Sequence, residues 1–297
     1  MADLYQPLLP RWLNYCHAMV TTLDLDPVYS GMRGAFLSQE ITRDQFDNFM
    51  VSFALFYSLE ESCKIVEMNL PTNQLWKYLI DNYETLKRGR ARRFFREKKG
   101  MNCLNYLVEH FESSTQFIEE MYDPCYEKMA EKFAKVPSFG PYFTWKWLDL
   151  YDRVYGMECK ITLDYAVQNL PGAPIKGAKL VSAEIWPDQE FDLKRVLEHM
   201  INECQRIGLM APPSLDRLVD IQEIETCLCG IVHMYKGTHV DKIGKDLRSK
   251  YEEVYKVGKT ATWLLKHMPR PLPHDIEFID PHLNVEDSSS SFNLLDL

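Results

Sequence analysis

No stretch of this 297-residue chain approaches the roughly 20 consecutive apolar residues of a membrane-crossing helix. Paired cysteine motifs are missing too. The eight cysteines are scattered, there is no CxxC, and Cys227-Leu-Cys229 has no second pair to complete a zinc site. The four-cysteine spacing of an iron–sulfur cluster is likewise absent. The thiols therefore read as free groups of a reducing compartment. No GxxxxGK[ST] occurs, which excludes a Walker phosphate loop. Internal repeats are absent, and alternating strands are nearly so, with only 177–186 offering one short strand. Positive charge is in deficit. Lys and Arg total 34 against 43 Asp and Glu, a formal net charge of −9. That balance opposes non-specific coating of nucleic acid or anionic membrane. Asp3 and Arg11 interrupt the first apolar stretch, which is not the pattern of a signal peptide.

What the chain does have is helical periodicity, and the expected fold class is all-α. Thr42-x-x-Gln45 is a capping box, and Phe46, Phe49, Met50, Phe53 and Tyr57 follow at helical spacing over 42–67. Further helices are predicted over 74–86, 101–111, 115–133, 191–207 and 247–267, with another opening at Asp220-x-x-Glu223. In order, the chain divides into an N-terminal helical part (1–115), a hairpin-bearing part (116–210), a C-terminal helical part (211–268) and a disordered acidic tail (269–297), the first three forming one continuous globular unit.

Three segments carry chemistry. The first is a basic run in an acidic protein: Lys87, Arg88, Arg90, Arg92, Arg93, Arg96, Lys98 and Lys99, with one acid, Glu97, among its thirteen residues. Each cation displaces a condensed counterion when it meets a phosphate, and Arg predominates, which suits fork-like phosphate contacts. A solvated charged loop is the alternative.

The second segment is Phe133-Ala-Lys-Val-Pro-Ser-Phe-Gly-Pro-Tyr-Phe-Thr-Trp-Lys-Trp147. A helix ends near Phe133, a tight turn follows, and Pro141 suits the first position of a new helix. Amides exposed at such a turn can hold an anion. The element resembles the helix-hairpin-helix of DNA repair glycosylases, which grips a DNA phosphate through a Leu-Pro-Gly-Val-Gly turn; here Ser138 replaces the first Gly. That resemblance implies DNA contact by Phe139, Gly140, Tyr142 and Lys146. It also implies a catalytic Asp shortly after the second helix, where Asp164 stands. A capping role for Asp164 is the other reading.

The third segment joins Asp220-Ile-Gln-Glu-Ile-Glu-Thr-Cys-Leu-Cys229 to a Gly-punctuated turn carrying Lys236, His239, Lys242, Lys245, Asp246 and Arg248. Glu223 and Glu225 point to different helix faces, and Glu223 has the spacing to complete a capping box with Asp220. Cations in the turn suit a polyphosphate leaving group; His239 or a carboxylate suits proton transfer.

Together with Leu23-Asp-Leu-Asp-Pro-Val-Tyr29, Asp152-Arg153-Val154 and Ile243-Gly-Lys-Asp246, these segments resemble the bacteriophage amino acid:DNA transferases, also called α-glutamyl/putrescinyl thymine pyrophosphorylases. The resemblance spans roughly 20–268. It implies a helix-hairpin-helix glycosylase-like architecture and a step in thymine hypermodification. In that step the pyrophosphate of 5-(pyrophosphoryloxymethyl)uracil in double-stranded phage DNA is replaced by the amine of an amino acid or polyamine. Base flipping into a pocket exposes the reacting methylene, with Phe139, Tyr142, Phe143, Trp145 and Trp147 as stacking or core aromatics. Asp164 is the first choice as proton acceptor and Glu223, Glu225 and His239 are the second. Arg88, Arg90, Arg92, Arg93 and Arg96 join the DNA contacts; Lys242, Lys245 and Arg248 meet pyrophosphate. No cofactor is required by the sequence, with Mg²⁺ the candidate aid to departure. Action in the host cytoplasm without membrane contact, and docking of other modification enzymes on the tail, complete the expectations. A base-excising glycosylase and a non-catalytic DNA-binding protein are the rivals.

Overall fold

The computed structural model describes residues 9–89, 97–235, 242–270 and 276–277. Among them run α1 (Arg11–Thr21), α2 (Val28–Ser38), α3 (Arg43–Phe56), α4 (Leu59–Glu67), α5 (Leu75–Asp81), α6 (Glu97–His110), α7 (Ser114–Met121) and α8 (Tyr126–Phe133). They continue with α9 (Pro141–Asp149), α10 (Leu163–Asn169), α11 (Gly172–Ile185), α12 (Leu193–Arg206), α13 (Ile221–Tyr235), α14 (Lys245–Val257) and α15 (Thr262–Leu265). The only ladder among the described residues pairs β1 (Lys242–Ile243) antiparallel with β2 (Ile276–Glu277). The chain is all-α, as its periodicity dictates. It separates into two compact units that cut across the consecutive parts expected from sequence. Unit 1 gathers 1–30, 162–250 and 269–297; unit 2 gathers 31–161 and 251–268. The acidic end of the tail lies outside the described residues.

Local chemistry sets the helix ends. The capping box of α3 is complete: the Gln45 amide donates to Thr42 Oγ1 at 3.2 Å and the Thr42 amide to Gln45 Oε1 at 2.9 Å. Four expectations need correction. The 42–67 helix is two, because Tyr57 turns left-handed (φ 53°) and ends α3. The 115–133 helix is also two, broken between α7 and α8 around Pro124, where an X-Pro step disfavours helix. The 247–267 helix is interrupted at Gly258 (φ 85°) by a 3₁₀ turn. The proposed strand at 177–186 is the body of α11. There Gly177 permits close packing, since a Cβ at that position would run into the backbone carbonyl of Leu228 on α13.

Unit 2 is built on aromatics. Phe117 on α7 makes edge contacts with Phe111 (5.1 Å), Trp147 (5.3 Å) and Trp76 (6.1 Å). Asp47 is one of its buried carboxylates. Asp47 of α3 accepts from Arg43 Nε (2.8 and 2.9 Å), Thr115 Oγ1 (2.7 Å) and Tyr155 Oη (2.9 Å), tying α3 to α7 and to the π-helical turn Leu150–Tyr155. Burial pushes its pKa up, against the pull of those donors. Unit 1 is centred on α13, which packs on α1, α11 and α12.

Candidate active site

Three sequence segments singled out above meet in unit 1. Two are Leu23–Tyr29 and α13; the third is the turn into α14. Their meeting is decided by two aspartates on a sharply turned backbone. Leu23 (φ 58°) and Asp26 (φ 52°) are both left-handed, which non-glycine residues adopt at a cost of about 1–2 kcal/mol each. Asp24, between them, is buried and accepts from two amides at the entry to α14: Gly244 (2.9 Å to Oδ2) and Leu247 (2.8 Å to Oδ1). Asp26 reaches α13 instead, with Oδ2 3.5 Å from the Thr226 hydroxyl.

That hydroxyl also lies 3.4 Å from Glu225 Oε2, so two carboxylates face one Thr226 Oγ1. Glu225 is buried, and the Cys229 thiol one turn on contacts its other oxygen at 3.7 Å. Tyr15 of α1 flanks the group, and a Cβ at Gly230 of α13 would overlap its hydroxyl. Burial above all, with the neighbouring Asp24 and Asp246 carboxylates adding to it, pushes the Tyr15 phenol well above its usual pKa. It stands there as a neutral hydrogen-bonding group.

Glu223, two residues from Glu225, has another function. Arg217 grips it in a fork, Nη1 to Oε2 at 3.0 Å and Nη2 to Oε1 at 3.1 Å, and the Asp220 amide donates to Oε2 at 2.9 Å. It is wholly buried and anchors both the start of α13 and the preceding loop, where Ala211 donates to the Arg217 carbonyl and Leu215 is left-handed (φ 55°). The reciprocal half of the expected capping box is thus present, and Glu223 is a structural anchor.

Asp164 lies in the first turn of α10, capped by Thr162. Its side chain is 75% exposed and receives Lys194 Nζ at 2.8 Å. His239 lies outside the described residues. Lys242 is in β1 and Lys245 opens α14; Arg248 follows one turn later, its amide bonded to the Gly244 carbonyl at 2.9 Å.

The DNA-contact candidates belong to unit 2. Arg90, Arg92, Arg93 and Arg96 lie outside the described residues. Arg88 turns inward: it donates to the carbonyls of Leu86 (3.1 Å) and Tyr83 (2.6 Å) and its guanidinium lies 4.3 Å from the Tyr83 ring centroid. Lys146 is buried in a pair with Asp149 at 3.0 Å, and Phe139 packs on Phe143 at 3.9 Å in the core. The structure therefore assigns these three internal partners.

The turn between α8 and α9 has the geometry its sequence asks for. Ser138 takes the left-handed conformation (φ 71°) that glycine would adopt, and its hydroxyl donates to the Lys99 carbonyl at 3.2 Å. Gly140 caps α9 and Pro141 begins it. Lys99, Ser138, Gly140, Pro141, Tyr142 and Phe143 line a concavity of about 500 Å³. Tyr142 remains 37% exposed there. Lys98 and Lys99, at the end of the basic run, are exposed in the first turn of α6. Among the described residues, no three His, Cys, Asp or Glu side chains gather to hold a metal ion. None of the described helices is long and apolar enough to cross a membrane.

Sequence reasoning missed Tyr15, Arg217 and the separate duties of Asp24 and Asp26. The available signal was the pair of turn-forming residue types in Asp24-Leu-Asp-Pro27, which marks a reversal but not the remote amides that Asp24 accepts from.

The sequence model of the amino acid:DNA transferase family matches residues 35–236, about two thirds of the chain. A putrescinyltransferase of Delftia phage PhiW-14 is 37% identical over 93% of this chain and 88% of its own length. A glycinyltransferase of Pseudomonas phage PaMx11 is 24% identical over 84% of this chain and 93% of its own.

Proposed function

The chain belongs to the amino acid:DNA transferase family, and from that premise we propose a reaction, a base and a donor for it. Membership makes it an enzyme that joins an amino acid or polyamine to DNA. The amine nitrogen attacks the 5-methylene carbon of a pyrophosphorylated hydroxymethyluracil. The carbon–oxygen bond breaks, pyrophosphate leaves with the bonding electrons, and the nitrogen passes one proton to a carboxylate.

Glu225 is the carboxylate the geometry supports best. Alkylating an amine leaves it cationic, and the proton must pass to a group held near the reacting nitrogen and sheltered from bulk water. Glu225 is buried on α13 and shares the Thr226 hydroxyl with Asp26. Asp164, exposed and paired with Lys194, fits a surface role in unit 1. The cations of Lys242, Lys245 and Arg248 stabilise the departing diphosphate, as preorganised charge does for a leaving oxyanion. In unit 2 the concavity around Tyr142 and the exposed Lys98 and Lys99 meet the DNA backbone, along with the arginines of the basic run.

The observation that carries this reading is the relative at 37% identity over nearly the whole chain. It is named for putrescine, which favours a polyamine over an amino acid as donor. The test is mass analysis of nucleosides after incubating the enzyme with pyrophosphorylated DNA and a mixture of putrescine, glycine and other amino acids. A putrescinyl adduct with stoichiometric pyrophosphate is expected. A free base with an abasic site would instead make the protein a glycosylase, and an amino acid adduct would overturn the donor assignment.

A further inference from the structure

The Asp-Leu-Asp reversal is given no step in the chemistry above, yet it carries two aspartates that face different elements, and Asp26 is left-handed in the loop before α2. Backbone strain of this kind persists only where surrounding structure holds it, and it concentrates at functional sites. Asp24 accounts for that concentration. One oxygen takes the Gly244 amide and the other the Leu247 amide, 220 and 223 residues away. Gly244 is itself at φ 88°, a conformation that a side chain would strain. Lys245 and Arg248 belong to the helix start whose Gly244 and Leu247 amides this carboxylate holds.

We propose that Asp24 is a positioning residue for the transfer reaction: it locks the backbone at the start of α14, the segment that carries Lys245 and Arg248, two of the cations assigned above to the departing diphosphate. The proposal rests on the assignment of those two cations to the leaving group. A second consequence follows from the same two bonds. The Gly244 and Leu247 amides are already taken by a carboxylate, so they do not serve the phosphate; side-chain charge holds it. Asp26, two residues on and facing Thr226 beside Glu225, keeps the same short reversal in register with α13. One strained segment thereby sets both the leaving-group side and the proton-acceptor side of unit 1.

The experiment measures inhibition by inorganic pyrophosphate together with kcat and the KM for the amine, on the full chain. The variants are Asp24→Asn, Asp24→Ala, Gly244→Ala, Lys245→Ala and Arg248→Ala. Hydrogen exchange at the Gly244 and Leu247 amides is followed in parallel. Asp24→Ala should weaken pyrophosphate inhibition about tenfold and lower kcat by a similar factor, with the amine KM unchanged and both amides exchanging faster. Asp24→Asn keeps one acceptor oxygen and should fall between it and the wild type. Gly244→Ala acts from the donor side, so it should give the same signature, and it replaces the Asp24 variants if they fail to fold. If Lys245→Ala and Arg248→Ala leave pyrophosphate inhibition intact, the leaving-group assignment falls, and the positioning proposal with it. If they weaken inhibition while Asp24→Ala speeds amide exchange without touching inhibition or kcat, Asp24 is a structural cap and the proposal alone is overturned.

Discussion

Each unit buries a carboxylate on a central helix, and the two are handled differently. Asp47 on α3 of unit 2 is enclosed by short bonds from Arg43, Thr115 and Tyr155. Neither Asp47 nor any of its three donors is left-handed; of that unit's left-handed non-glycine residues, Gln39, Tyr57 and Asn69 sit just past helix ends, where such conformations are ordinary, and Ser138 lies in the turn before α9, away from the carboxylate's donors. On α13 of unit 1, Glu223 is gripped by a fork from Arg217 while Glu225 shares a hydroxyl with Asp26. Here Leu23 also ends a helix, but Asp26 and Leu215 hold left-handed conformations in loops that deliver side chains to α13. A buried charge tied down in relaxed surroundings serves the fold. Buried charges delivered by strained loops indicate that position, more than stability, is what the sequence maintains.

The largest effect that would sharpen this contrast is on turnover. Glu225→Gln should reduce kcat about 10²–10⁴-fold, the range for loss of a general base, with the melting temperature nearly unchanged. Asp164→Asn should leave kcat within about threefold, because an exposed ion pair contributes little. If the two results were exchanged in a transfer assay, Glu225 would be the structural residue and the contrast would fail.

Next in size is stability in unit 2. Asp47→Ala should cost about 2–4 kcal/mol in urea unfolding, through the donors left without an acceptor, while activity per folded molecule is preserved. The pH dependence has a definite sign. Burial raises the folded pKa of Asp47 above its unfolded value, so its protonated form favours folding; that contribution is present below the unfolded pKa and is lost as pH rises through the folded one. Relative to Asp47→Asn, the wild type should therefore gain stability as pH falls from neutral through the carboxylate range. A relative loss on acidification would show the carboxylate to be net stabilised by its donors instead.

A smaller effect is expected where α11 crosses α13. Gly177→Ala would push the helix off the Leu228 carbonyl and should cost about 1–3 kcal/mol. Because α13 carries Glu225, the same variant should also lower kcat, which Asp47→Ala should not. The smallest effect concerns the hairpin turn. Ser138→Gly relieves a left-handed serine but loses its bond to the Lys99 carbonyl, so stability should change by no more than about 1 kcal/mol. DNA affinity should hold, and a large loss would make the Ser138 hydroxyl itself a DNA contact.

Periodicity made amphipathic helices such as α3, α6, α12 and α13 legible, because a 3.6-residue apolar repeat shows along the chain, and the Thr42 box marked its helix start to the residue; α1, α2 and α10 went unread. The strand expected at 177–186 failed for a reason sequence cannot display: Gly177 is there for contact with a helix 50 residues away. The basic run and Lys146 show the same limit. Charge density marks a segment, yet Arg88 and Lys146 spend their charge on Tyr83, Leu86 and Asp149, partners that only packing reveals.

The order of residues by itself determined the all-α class, the tight turn before Pro141 and the family, since each is written in local spacing or in matches along the chain. Only the tertiary structure decided which carboxylates lie together. Asp24 meets partners 220 and 223 residues away through hydrogen bonds of 2.9 and 2.8 Å, and Asp26 comes within 3.5 Å of the Thr226 hydroxyl; contacts that short depend on where the backbone finally lies, which no local pattern encodes.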